Sequence, residues 1–196
     1  MEVAGMADAS TLIRAARRSR RLTQEQLADR AQVDQGSVSR SERGRDAGFS
    51  TIDRLLAGTG HRLYSAPTRR DDASTAAAEI RQRLRERDKD RALRALLQLN
   101  DNLLAEHGLV RGILGLAEPE LTGDSAWDAA IAALVAWHLG AESIPVPAWV
   151  DQPDRFLTAP RTLDVDPADP VPPRSEVPDA FAKRGVLVWR DTFASV

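Results

Sequence analysis

Residues 22–44, LTQEQLADRAQVDQGSVSRSERG, place two helix-start signals and a helix stop in close succession. Thr23 and Gln26 form a capping box: the Thr hydroxyl accepts from the backbone N–H of Gln26, and the Gln side chain reaches back. Asp34 is a favourable N-cap for a second helix. Gly44 can end that helix in the left-handed region at little cost. The segment must therefore be two short helices joined by a tight turn. Leu27, Ala31, Val33 and Val38 suffice to hold the pair on a small core, and Ala28 is small enough to lie where the helices cross. They fill the space between the helices and leave one whole face of the second helix free. That face carries Gln35, Ser37, Ser39, Arg40 and Arg43, which offer hydrogen bonds outward.

The pattern continues on both sides. A first helix is predicted over 11–20, with Leu12, Ile13, Ala15 and Ala16 on its apolar side. A fourth is predicted from Ser50, with Asp53 three residues on, to Gly58 or Gly60. The segment HRLYSA, 61–66, reads as a short strand. Residues 10–66 thus read as a compact helical unit, and 67–73, PTRRDDA, as a solvated linker.

Charge divides along the same boundary. Residues 1–70 hold 13 Lys/Arg and 8 Asp/Glu; the whole chain has 27 and 29. A basic head on an acidic body points to a local site for a polyanion.

The reach of the outward face suggests which polyanion. Gln pairs with adenine and Arg with guanine in a bidentate way, and Gln35 and Arg40 have the length to do so. Ser37 and Ser39 suit phosphate or base contact. Gln24 opens its helix, where backbone N–H groups favour an anion. Arg43 and Arg45 lie where a DNA backbone would pass.

With these residues in view, the stretch resembles the helix-turn-helix of the XRE-type (phage-repressor) regulators. The likeness covers about 10–63 and rests on L-T-Q-x-x-L-A, then V, then S-x-x-S-R-x-E-R-G. It implies a four- to five-helix bundle that binds double-stranded DNA as a dimer with the second helix of the motif in the major groove. Carried over, base contact falls on Gln35, Gly36, Ser39 and Arg40, and phosphate contact on Gln24, Ser37 and Arg43, with Arg45 beside them. Three positions depart from the pattern. Gln32 stands where a turn Gly is usual, which strains the chain if positive φ is needed. Gly36 replaces a base-reading side chain. Ser41 replaces a core Ile or Leu, a loss on the order of a few kcal/mol.

Residues 74–196 read as a helical module with a Pro-rich, partly irregular end, so the fold class is mainly α. Helices are predicted over 74–87, with Ile80 and Leu84 on one stripe, and over 88–106, with Leu93, Leu96, Leu97, Leu103 and Leu104 at helical spacing. Another runs over 125–138, is ended by Gly140, and is apolar nearly all round, so it should be buried. The mixed charges of RQRLRERDKDRALR suit a solvated helix face with i, i+4 pairs. Asn100 on the Leu-rich stripe either fixes the register of a helix pair or bonds a nearby carbonyl. His107, on the same stripe, reads as an interior or rim residue. Beyond Ile144, nine prolines make the chain extended or irregular, with VLVWR a possible strand after Gly185.

Other chemistries find little support. The chain has no cysteine, so thiolate metal sites and disulfides are excluded and a reducing compartment is favoured. His61, His107 and His138 lack the spacing of a helical metal site. Asp164, Asp166 and Asp169 lack the Gly and Glu of a calcium loop. No phosphate loop or nucleophile elbow occurs. The start lacks a signal-peptide pattern, and no apolar run spans a bilayer. The expectation is a cytoplasmic, non-catalytic regulator without metal or cofactor. Trp149, Phe156, Trp189 and Phe193 lie in short apolar segments, and uncovered aromatics mark partner surfaces. The order of short motifs over 125–196 is similar to that of regulators paired with a neighbouring toxin gene. That likeness implies an antitoxin whose second module binds a toxin; a small-ligand sensor is the third reading.

Overall fold

The computed structural model describes residues 9–194 except Asp46, Tyr64 and Pro167. The fold is mainly helical, and the described chain divides into two units between Pro67 and Thr68.

The first unit holds α1 (Ala9–Ser19), α2 (Gln24–Ala31), α3 (Gln35–Glu42) and α4 (Phe49–Gly58). Ile13, Leu27, Ala28, Ala31, Val38 and Leu55 form its core, with Val33 and Ile52 packed on its rim. The core is thin because each helix has only two or three turns to contribute. Its edges are therefore closed by polar groups: Arg20 Nε donates to Thr59 O at 3.0 Å, tying the end of α1 to the end of α4. Gly58 allows the closest approach, since a Cβ there would lie 3.1 Å from Leu27 Cδ1 and 3.2 Å from Ala31 Cβ.

The start of α4 departs from expectation. Ser50 does not cap it; Gly48 occupies the N-cap position without a side-chain bond, and Phe49 begins the helix. The strand expected over 61–66 does not form among its described residues, and Tyr64 lies outside them. The chain there leaves α4 by a backbone bond from His61 N to Leu56 O, so its polar groups are not offered to a neighbouring strand.

The second unit starts earlier than the sequence suggests. Asp72 caps α5 (Ala73–Arg85) by accepting from Thr75 N at 2.8 Å, so the connecting segment is one residue shorter. Asp88 caps α6 (Lys89–Ala105) after a left-handed Arg87. Ala73, Ala76, Ala77 and Ile80 of α5 are buried, as are Leu96, Leu99 and Leu103 of α6, whereas Leu104 is exposed. A short helix that the periodicity did not reveal, α7 (Gly108–Leu114), follows. His107 does not lie on the α6 stripe; it sits beyond the helix end, exposed, with Nδ1 2.6 Å from Glu142.

At the centre is α8 (Ser125–Ala141), buried along most of its length, with Trp127, Ile131, Leu134 and Val135 inaccessible to solvent. Gly140 lies within it rather than ending it. A helix apolar on every side needs cover on every side. α5 and α6 supply part, and the Pro-rich segment supplies the rest through short turns at Ala148–Asp151 and Pro153–Arg155 and through α9 (Asp179–Ala182). VLVWR forms no strand: one bridge pairs Arg161 with Val186, and Gly185 makes the turn at φ 77°.

An irregular segment against a core leaves carbonyls without ladder partners. Three long side chains meet that need. Buried Arg155 donates to Pro119 O at 2.7 Å, buried Arg184 to Val150 O at 3.1 Å, and Trp149 Nε1 to Gly115 O at 3.0 Å. The first two guanidinium groups also lie over the Trp149 and Phe156 rings. These arginines escape sequence reading because nothing in their spacing distinguishes them from surface charge.

Candidate nucleic-acid interface

The two caps read from sequence are both present. Thr23 Oγ1 accepts from Gln26 N at 3.1 Å while Gln26 Oε1 accepts from Thr23 N at 2.9 Å. Asp34 Oδ1 accepts from Ser37 N at 2.8 Å. Between them Gln32 adopts φ 53° and ψ 48°, the left-handed region where Gly would be unstrained. The turn therefore keeps its geometry at the expense of the residue that makes it.

α3 is divided lengthwise. Val38, Ser41 and Glu42 are buried; Gln35, Arg40 and Arg43 are exposed, with Gly36, Ser37 and Ser39 half-buried between them. This is the i, i+3, i+4 arrangement of a helix anchored on one side only. Ser41, small for its position, is covered all the same.

The anchor that hydrophobic patterning did not reveal is Glu42. It is 3 % exposed, and Arg17 of α1 grips it with both arms, Nε to Oε1 at 2.6 Å and Nη2 to Oε2 at 2.9 Å. Gln24 Nε2 donates to Oε2 at 2.8 Å. Arg14 donates to the Glu42 backbone carbonyl. Burial disfavours the carboxylate, but the bonds from Arg17 and Gln24 and the nearby positive charges outweigh it, so the carboxyl titrates below its ordinary range. One carboxylate thus joins α1, α2 and α3. A Glu at the end of a polar helix, with an Arg near the end of the first helix of the bundle, is the signal that could have found it.

Gln24, assigned to phosphate, is consequently engaged inside the unit and half-buried. Other predicted contacts are also joined to one another. Ser37 Oγ donates to Asp34 Oδ2 at 2.5 Å, and Arg40 Nη2 donates to Ser37 Oγ at 2.9 Å and lies 3.5 Å from Asp34 Oδ1. The bonds from the Ser37 hydroxyl and backbone lower the Asp34 pKa, with Arg40 adding to the effect. Arg43 folds over Ser39, bonding its hydroxyl at 2.7 Å and its carbonyl at 3.1 Å. Gly36 cannot read a base through a side chain, and its smallness has a local use. A Cβ there would lie 2.9 Å from Asp34 Oδ1 and 3.0 Å from Arg40 Nη1. Gln35 and Arg45 are exposed.

The aromatics expected to be uncovered are not all so. Trp149 and Phe193 are buried, Phe193 stacked on Phe181 at 4.9 Å. Phe156 is half-buried under Arg184, and Trp189, also half-buried, donates to Pro170 O at 3.2 Å. They are held by the Pro-rich segment folding back on α8, a long-range event that short motifs do not disclose. Among the described residues, the large apolar side chains most exposed in this unit are instead Leu109, Leu116 and Val171.

Residues 8–61 match the family model of the helix-turn-helix domain. The match includes α2, the turn and α3, and none of the second unit. It supports a DNA-binding regulator. No curated protein and no solved structure matches the chain. No helix among the described residues is long and apolar enough to cross a membrane.

Proposed function

We propose that this chain is a non-catalytic, cytoplasmic transcriptional regulator of the XRE type. It acts as a homodimer, represses from a two-fold operator, and lays α3 in the major groove. The observation that carries the reading is the division of α3: Val38 and Glu42 fasten it from behind, and Gln35, Arg40 and Arg43 face outward. A reading helix must be both rigidly held and unobstructed, because base-edge hydrogen bonds tolerate little displacement. The test is binding of the full chain to the DNA upstream of its own gene, against scrambled DNA, at two salt concentrations. Preference for the upstream DNA that survives the higher salt supports the reading. Equal, weak binding that disappears with salt contradicts it, since that is the signature of phosphate attraction alone.

A second reading, the antitoxin, is favoured by the exposure of Leu109 (80 %), Leu116 (63 %) and Val171 (62 %) in the second unit. Large apolar side chains left in water suit a protein partner. The full chain should co-purify with the product of an adjacent toxin gene, and a chain ending at Pro67 should not. Capture by the shortened chain would dismiss it.

A further inference from the structure

Arg40 is the residue best suited to read a guanine, yet a carboxylate of its own helix stands beside it. Resting on the DNA-reading proposal above, we propose that Asp34 is a specificity-determining residue. Together with Ser37 it holds Arg40 for a neutral base edge and keeps it from a phosphate.

The geometry supplies the reason. Asp34 receives the Ser37 hydroxyl through Oδ2, and Arg40 reaches the pair through Nη2 alone. A guanidinium carries five N–H donors in a fixed fork; the Ser37 bond takes one of the two Nη2 hydrogens, so the other keeps a parallel pair with Nη1 or with Nε for guanine O6 and N7. Those acceptors are uncharged and can approach Arg40 with Asp34 in place. A phosphate oxygen approaching the same fork meets the Asp34 carboxylate, and like charges brought together disfavour that contact. The arrangement depends on Gly36, because a Cβ there would press on both Asp34 Oδ1 and Arg40 Nη1. A cap alone would not need the charge, since Asn and Ser cap as well as Asp.

The experiment first selects from a random-sequence duplex library with the full-length protein. The enriched duplex and a scrambled one are then titrated across a salt series with the parent, Asp34→Asn, Arg40→Gln and the double variant. Asn keeps the acceptor for Ser37 N, and Asp34→Ser provides a second charge-free cap should Asn alter folding. The expected result is that Asp34→Asn binds scrambled DNA about two- to fivefold tighter, the scale of an exposed ion pair. The ratio of selected to scrambled affinity should fall. The salt slope on scrambled DNA should steepen by about one as Arg40 gains a phosphate. In the Arg40→Gln background these changes should vanish, which a purely capping role would not produce. An unchanged ratio in Asp34→Asn, or an equal fall in both backgrounds, overturns the proposal while leaving α3 as the reading helix. Failure of the parent to enrich any sequence defeats the DNA-reading proposal itself and this one with it.

Discussion

At the scale of single residues, the first unit depends on one buried carboxylate. Removing a partner from a buried, hydrogen-bonded ion pair leaves a charge without compensation, at a cost of about 3–5 kcal/mol. Glu42→Ala strands Arg17 and releases Gln24, though Arg17, at 16 % exposure, keeps some access to water. The expected loss is therefore near the lower figure, read as a lowered unfolding midpoint of the first unit, with weakened DNA binding because α3 loses its rear fastening. A paired apolar replacement, Arg17→Met with Glu42→Leu, should recover most of that stability. The two outward arginines should separate in kind. Arg40→Ala should lower affinity for the preferred site by roughly 1–3 kcal/mol and relax base preference. Arg43→Ala should weaken all sequences alike and reduce the salt slope by about one. Titration of both variants on a preferred and a scrambled duplex distinguishes these outcomes.

At the scale of elements, the turn between α2 and α3 carries the one strain that sequence reading anticipated. Gln32 at φ 53° belongs to a region where a non-glycine side chain crowds its own backbone. Gln32→Gly should raise stability by up to about 1 kcal/mol, less the added freedom of the unfolded chain. A chemical denaturation curve of the full chain would show the change as a shifted midpoint with unchanged slope. The opposite expectation holds at the capping box. Thr23→Ala removes the acceptor for Gln26 N and should cost about 1 kcal/mol. Periodicity placed these short helices well because their caps are local. It missed α7, whose seven residues are too few to establish a period, and it ended α8 early at Gly140. A glycine costs an exposed helix about 1 kcal/mol, but the buried surface of α8 offsets that cost.

At the scale of the whole molecule, the second unit contains a buried histidine that links three separate parts of the chain. His138 Nε2 donates to Asn100 Oδ1 at 2.9 Å, and Asn100 Nδ2 donates to Phe193 O at 3.4 Å. Asn100 thus joins α6 to α8 and bonds a carbonyl. Burial, with Arg111 adding like charge, lowers the His138 pKa from 6.5 to about 4. The unfolded chain therefore takes up a proton first as pH falls. Stability from this group is complete above about 6.5 and is lost as pH drops toward 4, by at most about 3 kcal/mol. Asp71 and Asp128, whose carboxyls burial pushes upward, act in the opposite direction near the bottom of that window. Comparison of the parent with His138→Gln isolates the histidine: the variant should be less stable at neutral pH and show a flatter loss between pH 6.5 and 4. An equal slope in both proteins would contradict the assignment.

Sequence alone determined the mainly helical class, the caps of α2 and α3 and the outward polar face of α3. These follow from interactions spanning three or four residues, which a chain states in its own order. It also indicated that α8 would be buried, because an all-apolar helix has no other stable place. Tertiary structure decided which polar groups on that face are bound and which are offered. Gln24 turned inward because Glu42, distant in the chain, lies across from it; Arg40, by contrast, is held locally, by Ser37 one turn back and by Asp34 at the N-cap. Tertiary structure likewise buried Trp149 and Phe193, since the Pro-rich segment folds over α8, where Arg184 bonds the segment's Val150 carbonyl and Arg155 bonds the Pro119 carbonyl across from it. Contacts between residues far apart in the chain depend on the closed fold, and no local spacing records them.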